Sequence, residues 1–407
     1  MAVELFAGDA KPEPGPNPEV SFVLPAMNEA LNIEECIDWC LEGLAKAGVV
    51  GEILIVDSSS DCTADLALAK GARVLRTQNP GLGQAYIEAM PFIRGRFVVM
   101  GDCDCTYDFR FLAPFVEAFR KGAQFVMGSR FLGSIEPGAM PGHHRYFGTP
   151  LTTWILNWIF SSRFSDIHCG MRGITLEALR RMHITSTSWE YASEMVIKSV
   201  HMGLVTAQVP VHFYKDRKGR LSHHRRMGWW SPWAAGWINL RAMFVHGGAF
   251  FLMKPGMVFL TLGMLLLVPL AGGAITLGPI TFSLFWMLLG LVLAVVGLQC
   301  LHMGSLSRLF FDYSGERTQR WIRRFPYNRM VAVSFASFLA GLGVEGAFLA
   351  TYVRGGFLLG LAGSRPMVHL AVLGLFLLIF GFMNFTYCLT MNGFILSLKG
   401  KVHSGRE

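Results

Sequence analysis

Four stretches of this 407-residue chain, residues 256–275, 280–303, 330–353 and 367 to about 389, contain neither lysine nor arginine. As helix, each is long enough to cross a hydrocarbon core about 30 Å thick, which takes roughly 20 apolar residues. Such a core offers backbone groups no water, so these stretches must be helices that close their own hydrogen bonds. Thr276-Leu-Gly-Pro279 allows only a tight hairpin between the first two spans. The connection 304–329 holds Arg308, Arg317, Arg320, Arg323, Arg324 and Arg329, and the tail adds Lys399, Lys401 and Arg406. Lysine and arginine collect on the cytosolic side, so the N-terminal domain, this middle loop and the C-terminus are all expected there, in an inner or cell membrane of bacterial type. An even number of spans agrees with that.

Charge and cysteine usage narrow the class. Hydrophobic residues make up 52% and charged residues only 16%, and the apolar excess lies beyond about residue 250. The net charge of +8 suits an anionic membrane surface, because the arginines sit beside the spans. Nucleic acid is excluded as a partner, since no basic, aromatic-studded soluble face accompanies that charge. The eight cysteines include no CxxC pair and no metal-ligand spacing, which argues against zinc or a disulfide framework. Cys103 and Cys105 read as spacers at a strand end.

The expected organisation is a flexible Pro-rich leader (1–19) without signal-peptide features, an α/β domain (20–225), a juxtamembrane amphipathic segment (226–254), a four-helix transmembrane domain (255–398) and a cytosolic tail (399–407). The juxtamembrane reading rests on Arg217-Lys-Gly-Arg220, His223-His-Arg-Arg226, Trp229-Trp-Ser-Pro-Trp233 and Trp237, because indole and guanidinium groups favour the headgroup layer. Glu345, an ionisable residue within a span, is expected to bond a partner such as Asn384, with Gly341, Gly343 and Gly346 allowing close helix approach.

In the first half, strand and helix signals alternate, which points to a largely parallel sheet. Val20-Ser-Phe-Val-Leu24 reads as a strand and 28–48 as a helix with apolar residues at Ile33, Ile37, Leu41 and Leu44. Glu52-Ile-Leu-Ile-Val56 is a second strand ending in Asp57, residues 63–70 a second helix, and Arg73-Val-Leu75 a third strand. After a loop and a helix, Arg96-Phe-Val-Val-Met-Gly101 runs into Asp102-Cys103-Asp104. In open α/β sheets ligands bind beyond the carboxyl ends of strands, and Pro25, Asp57 and Asp102 all lie at such ends. Paired carboxylates there suit Mg²⁺ or Mn²⁺ held against a diphosphate, since these cations prefer oxygen ligands. No G-x-G-x-x-G follows the first strand, which disfavours a dinucleotide fold.

Pro25-Ala-Met-Asn28-Glu29, Val56-Asp57-Ser-Ser-Ser-Asp61-Cys-Thr63, Asn79-Pro-Gly-Leu-Gly83 and Asp102-Cys-Asp104 stand in the order and spacing of glycosyltransferase family 2, which residues 20–225 resemble. The membrane arrangement is similar to the polyprenyl-phosphate branch, which includes dolichyl-phosphate mannose and glucose synthase-like enzymes. The resemblance implies a GT-A nucleotide-sugar-binding domain. It also implies donor contacts from Pro25, Asn28, Glu29, Asp57, Asn79, Gly83 and Asp102, and a divalent metal on Asp102 and Asp104. Val126-Met-Gly128-Ser129-Arg130 and Arg145-Tyr-Phe-Gly-Thr149 resemble the branch's acceptor-phosphate element, with threonine standing where the family has serine. Arginine suits that task because its planar fork matches phosphate.

Asp166-Ile-His-Cys-Gly-Met-Arg172 resembles the family's Asp-x-x-x-Gly-Phe-Arg, with Met171 in the aromatic position and Arg172 as a further candidate phosphate ligand. Trp189-Glu190-Tyr191-Ala-Ser-Glu194 follows on an amphipathic helix. Asp166, Glu190 and Glu194 are candidate catalytic carboxylates with Asp104 and Arg130. A lipid phosphate is already anionic and needs no general base, so these acids would then organise the site instead.

The function expected is inverting transfer of mannose or glucose from a UDP- or GDP-hexose to a polyprenyl or dolichyl-type lipid phosphate at the cytosolic face. A second copy of the chain, as a homo-oligomer, is left open. One alternative is transfer to another membrane lipid or a glycan. A second, of a different class, is a transporter or flippase with a cytosolic regulatory domain. Gln319-Arg320-Trp321 lacks the two intervening residues of the Gln-x-x-Arg-Trp element of processive polysaccharide synthases, which sets that reading aside.

Overall fold

The computed structural model describes residues 4–6, 17–217, 237, 240, 241, 243–312, 315–357 and 365–404. The chain divides into two compact units, Met1–Val245 and His246–Glu407.

The first unit is built on an eight-stranded sheet, in the order β1-β4-β3-β2-β5-β7-β6-β8. Its centre is parallel: β2 (Val20–Ala26) lies between β3 (Gly51–Asp57) and β5 (Phe97–Met100), with β4 (Arg73–Arg76) beyond β3. These strands are nearly continuous apolar runs because helices cover both faces of a parallel sheet, and Phe22, Leu54, Ile55, Val98 and Val99 are fully buried. Helices α1 (Ile33–Ala47), α2 (Thr63–Ala69) and α3 (Leu82–Ala89) are the crossovers. The buried face of α1 runs through Ile33, Cys36, Ile37, Cys40 and Leu44, while Leu41 is exposed, contrary to the apolar spacing read from sequence. The first helix also starts at Ile33, not Asn28.

Beyond β5 the sheet turns mixed. Strand β7 (Arg172–Thr175) inserts antiparallel between β5 and β6 (Phe125–Ile135), and β8 (Thr206–Phe213) adds parallel to β6. Helices α4 (Ala113–Arg120), α5 (Thr149–Phe160), α6 (Leu176–Met182) and α7 (Tyr191–His201) complete the unit. Part of the expected leader is ordered: β1 (Glu4–Phe6) pairs antiparallel with β4, Glu4 opposite Arg76.

Among its described residues the second unit has four helices apolar and long enough to cross a membrane: α8 (Gly248–Leu270), α9 (Leu284–Phe310), α11 (Tyr327–Arg354), and the Pro366–Ser397 part of α12 (Arg365–Ser404). The short α10 (Glu316–Arg324) lies between the second and third. The first span begins at Gly248, eight residues before the apolar run suggests, because Lys254 and Pro255 are accommodated within the helix. Lys254 lays its ammonium over the Phe250 ring, 4.2 Å from the centroid. The expected tight hairpin is present as β9 (Ile275–Leu277) against β10 (Ile280–Phe282).

Helices α8 and α9 approach closely through small residues. A Cβ on Gly263 would lie 2.4 Å from Ala294 N, and one on Gly297 would lie 2.3 Å from Leu260 N. Glu345 differs from expectation: it lies against Gly374, whose missing Cβ leaves room for Oε1, while Asn384 bonds Ser334 Oγ at 2.9 Å.

Candidate active site

The site gathers where β2, β3 and β5 end. The β2–α1 loop is clasped to the β3–α2 loop: Asn28 N donates to Ser59 Oγ at 2.7 Å, and Asn28 Oδ1 accepts from Ser60 N at 3.0 Å. To do this Asn28 adopts left-handed backbone (φ 57), which asparagine tolerates better than most side chains. Glu29 is buried, its amide donating to Thr63 Oγ1 at 3.0 Å and its carboxylate accepting from Asn32 Nδ2 at 3.2 Å. Pro25 sits within β2, opposite Val56.

Asp57 closes β3 with its side chain fully buried. Its Oδ1 accepts from Ser59 N at 3.3 Å. Arg76 Nη1 lies 3.0 Å from Oδ2 without hydrogen-bond alignment, so a buried carboxylate oxygen at a strand end still lacks a hydrogen-bond donor. Such an atom costs free energy unless a ligand supplies the donor.

At the end of β5, Asp104 Oδ1 accepts from Thr106 N at 2.9 Å and Thr106 Oγ1 at 2.5 Å, which fixes its rotamer. Asp102 is half-buried beside Gly170, where a Cβ would stand 3.2 Å from Asp102 Oδ2. Gly170 N in turn donates to Tyr107 Oη at 2.8 Å. Cys103 and Cys105 do more than space the carboxylates. Cys36, Cys40, Cys103 and Cys105 are all buried, and Cys105 Sγ donates to Asn32 O at 3.6 Å, which ties the end of the Asp102–Asp104 loop to the entry of α1. The neighbouring thiols of Cys103, Cys105 and Cys40, together with burial, raise the Cys36 thiol well above its ordinary value, which keeps it protonated.

Sequence reasoning missed the aromatic wall behind these carboxylates. Tyr86 and Tyr191 pack with ring centroids 5.0 Å apart, and Arg172 stands 5.5 Å from the Tyr191 centroid. Burial raises both phenols, and the Asp102 charge pushes the same way. Tyrosines on helices carry no motif spacing of their own, so nothing in the chain marked them.

The candidate phosphate ligands fall into two groups. Arg130 is 8% exposed and forks onto Asp166, with Nε to Oδ2 at 2.7 Å and Nη2 to Oδ1 at 2.8 Å. Burial opposes both charges, but the pair outweighs it, so Asp166 is held below and Arg130 above its ordinary value. Arg172 is buried and donates to the carbonyls of Ala192 at 2.9 Å and Cys169 at 2.6 Å, so it braces these two segments. Arg145 differs: it lies half-buried in the turn His144–Gly148 and meets no carboxylate among the described residues. Outward from that turn and from α5 point Tyr146, Phe147, Leu151, Trp154 and Trp158, the last two stacked at 5.8 Å. Thr149, buried, opens α5, and Thr152 Oγ1 on the same helix lies 2.8 Å from His168 Nε2.

Of the candidate acids, Glu194 pairs with Lys198 at 2.5 Å and accepts from the amides of Thr185 and Ser186. Burial opposes its charge, yet these partners hold it down at about 2. The 185–187 segment it pins presses on the α3 loop: a Cβ on Gly83 would meet Ser186 O at 2.0 Å, and Gln84 N donates to Thr187 O at 2.9 Å. Packing therefore requires glycine at 83. Asn79 holds the same loop through Glu88 Oε1 at 2.8 Å. Glu190, the N-cap of α7, is half-buried, and its carboxylate has no partner among the described residues. The tryptophan-rich segment 218–236 lies outside the described residues.

Residues 21–183 match the family described as Glycosyl transferase family 2, and residues 305–398 match the Glycosyltransferase family 2 C-terminal transmembrane region. The low-salt glycan biosynthesis hexosyltransferase Agl6 of Haloferax volcanii is 33% identical over 345 residues, 84% of this chain and 81% of that protein. The chain belongs to glycosyltransferase family 2. A dolichyl-phosphate hexose transferase of the same organism is 30% identical over 169 residues, 41% of this chain and 72% of that one. Among solved structures, glucosyl-3-phosphoglycerate synthase from Mycobacterium tuberculosis, in complex with Mn²⁺, UDP and glucosyl-3-phosphoglycerate, is 22% identical, covering 56% of this chain and 79% of its own, with a TM-score of 0.43. This family 2 glycosyltransferase is an integral membrane protein with a GT-A-like domain and four apolar helices.

Proposed function

We propose that this glycosyltransferase is an inverting enzyme that moves a hexose from a UDP- or GDP-hexose to a polyprenyl-type lipid phosphate at the cytosolic face of the membrane. The observation that carries the reading is the acceptor side. Arg145, a guanidinium that meets no carboxylate among the described residues, lies on a segment that turns Tyr146, Phe147, Trp154 and Trp158 outward. A water-facing surface has no use for four exposed aromatics, whereas a phosphate on an apolar tail needs both parts. The names of two relatives, a hexosyltransferase and a dolichyl-phosphate hexose transferase, support the hexose and the lipid.

The donor's nucleotide would lie over the knitted Asn28–Glu29 and Ser58–Thr63 loops, where the unsatisfied Asp57 Oδ2 accepts from base or ribose. Its diphosphate would reach Asp102 and Asp104. These carboxylates fit a divalent metal in donor chemistry: both are hard oxygen ligands, one rotamer is fixed by Thr106, and the remaining ligands would come from diphosphate and water. When bound, such an ion neutralises charge on the departing nucleotide. The Asp166 carboxylate already engages Arg130; Arg145 would take the acceptor phosphate, whose oxygen attacks the anomeric carbon from the face opposite the leaving group. That oxygen is already anionic, so no carboxylate need remove a proton. Arg130 and Asp166 hold β6 in shape at its midpoint, and Arg172 and Glu194 brace the aromatic wall. Were the acceptor a sugar hydroxyl instead, Glu190 is the acid left unpaired to serve as base.

The test is a donor-by-acceptor screen with purified full-length protein, labelled UDP-glucose or GDP-mannose, a short polyprenyl phosphate, and Mg²⁺ or Mn²⁺. Label should move into the organic phase, with Arg145→Gln raising KM for the lipid while leaving that for the donor nearly unchanged. Label appearing only in a water-soluble glycan would sink the lipid acceptor.

A further inference from the structure

The connection between α9 and α11 folds into a site that the transfer reaction does not use. Gly315 enters α10 in left-handed backbone (φ 71), and Asp312 Oδ2 accepts from Thr318 N at 2.7 Å and Thr318 Oγ1 at 2.8 Å, fixing the first turn. One side of α10 enters the bundle. Trp321 and Ile322 pack on a cluster that includes Leu309, Met330, Tyr387 and Met391, with Trp321 edge-on to Tyr387 at 6.2 Å. The other side is cationic. Arg320 pairs with Glu316 at 2.9 Å, but Arg323 and Arg324 are exposed and meet no carboxylate among the described residues. The same holds for Arg308 in the last turn of α9 and Arg329 in the first turn of α11.

Contacts in that cluster between Leu309 of α9, Met330 of α11 and Trp321 of α10 bring all four arginines to one end of the bundle. Phe310, Phe325 and Tyr327 face outward at this same end, 64%, 40% and 44% exposed. A surface facing only water would set carboxylates among these guanidinium groups and bury the rings. Rings and unpaired arginines side by side at the ends of spans match the headgroup layer, where the ring lies against the acyl boundary and the cation against phosphate.

We infer that α10, with Arg308, Arg323, Arg324 and Arg329, is a binding site for the phosphate groups of anionic phospholipids. Trp321 and Ile322 lock the helix to the bundle, so the backbone positions from which the arginines reach the headgroups are fixed. Each arginine near an anionic surface contributes about fivefold in affinity at low salt. The site is independent of the sugar-transfer reading, and the two fail separately.

The experiment is native mass spectrometry of the full chain in neutral detergent, titrated with phosphatidylglycerol or with phosphatidylcholine of the same acyl chains. The native protein should retain phosphatidylglycerol preferentially, and less so as salt rises. Replacing three charges in R323Q/R324Q/R329Q should cut that affinity by about a hundredfold and leave phosphatidylcholine binding unchanged. R324Q alone, on the exposed helix face, should cost about fivefold and serves if the triple variant loses its native elution. Equal retention of the two lipids, or an unchanged preference in the variants, overturns the inference. So does full displacement by inorganic diphosphate at equimolar concentration, which would mark a site for free phosphates.

Discussion

Breaking the Arg130–Asp166 pair from one side leaves the other charge buried alone. Arg130→Met should therefore lower the stability of the purified chain by about 3–5 kcal/mol, more than any exposed arginine, and Arg130→Met with Asp166→Leu should recover part of the loss; thermal unfolding in detergent measures both. His168 adds a pH dependence. Burial lowers it to about 4, with Arg130 and Arg172 pushing the same way and Asp166 opposing. In the unfolded chain it titrates near 6.5, so between those values the unfolded state binds more protons. Stability is thus full above about pH 6.5 and falls by roughly 3 kcal/mol as pH drops to 4, and His168→Gln should flatten that part of the melting-temperature profile. Single residues were legible where chemistry is local: Asp57, Asp102 and Asp104 sit at strand ends as their flanking apolar runs imply. Arg130, Arg172 and Glu194 were not, because charge type says nothing of the partner the fold brings to it. Asp166 is 36 residues from Arg130 in sequence.

Between elements, closeness is set by what side chains are missing. Gly297→Leu in α9 drives a side chain into the α8 backbone at Leu260, so the protein should lose most of its monodisperse yield and melt at a lower temperature. Gly343→Leu on α11, where a Cβ meets nothing within 4 Å, should behave as the native chain does in size-exclusion and melting runs. The spans and the β9–β10 hairpin were readable because hydropathy and turn chemistry are local signals. The start of α8 was not, since Lys254 and Pro255 look like a stop, yet the helix runs through both and the Lys254 ammonium lies over the Phe250 ring one turn earlier. Leu41 misled in a similar way: its spacing fits an apolar face, yet two cysteines fill the positions that matter on α1.

At the level of the whole chain, alternation of elements foretold a parallel sheet but not its second half. Strand β7 pairs antiparallel with both β5 and β6, a choice made by contacts between residues 45 or more positions apart. Such pairings leave no periodic trace in four residues of Arg-Gly-Ile-Thr. The same holds for β1, three residues long, within a stretch whose prolines suggest a loose leader. That short strand has an outsized effect on how the molecules behave in company. It occupies the outer edge of β4 alongside Val74, Leu75 and Arg76, so that edge is already paired. A chain shortened past Phe6 would present that edge bare, and neighbouring chains, crowded in the plane of a membrane, would find it a template for sheet-to-sheet aggregation.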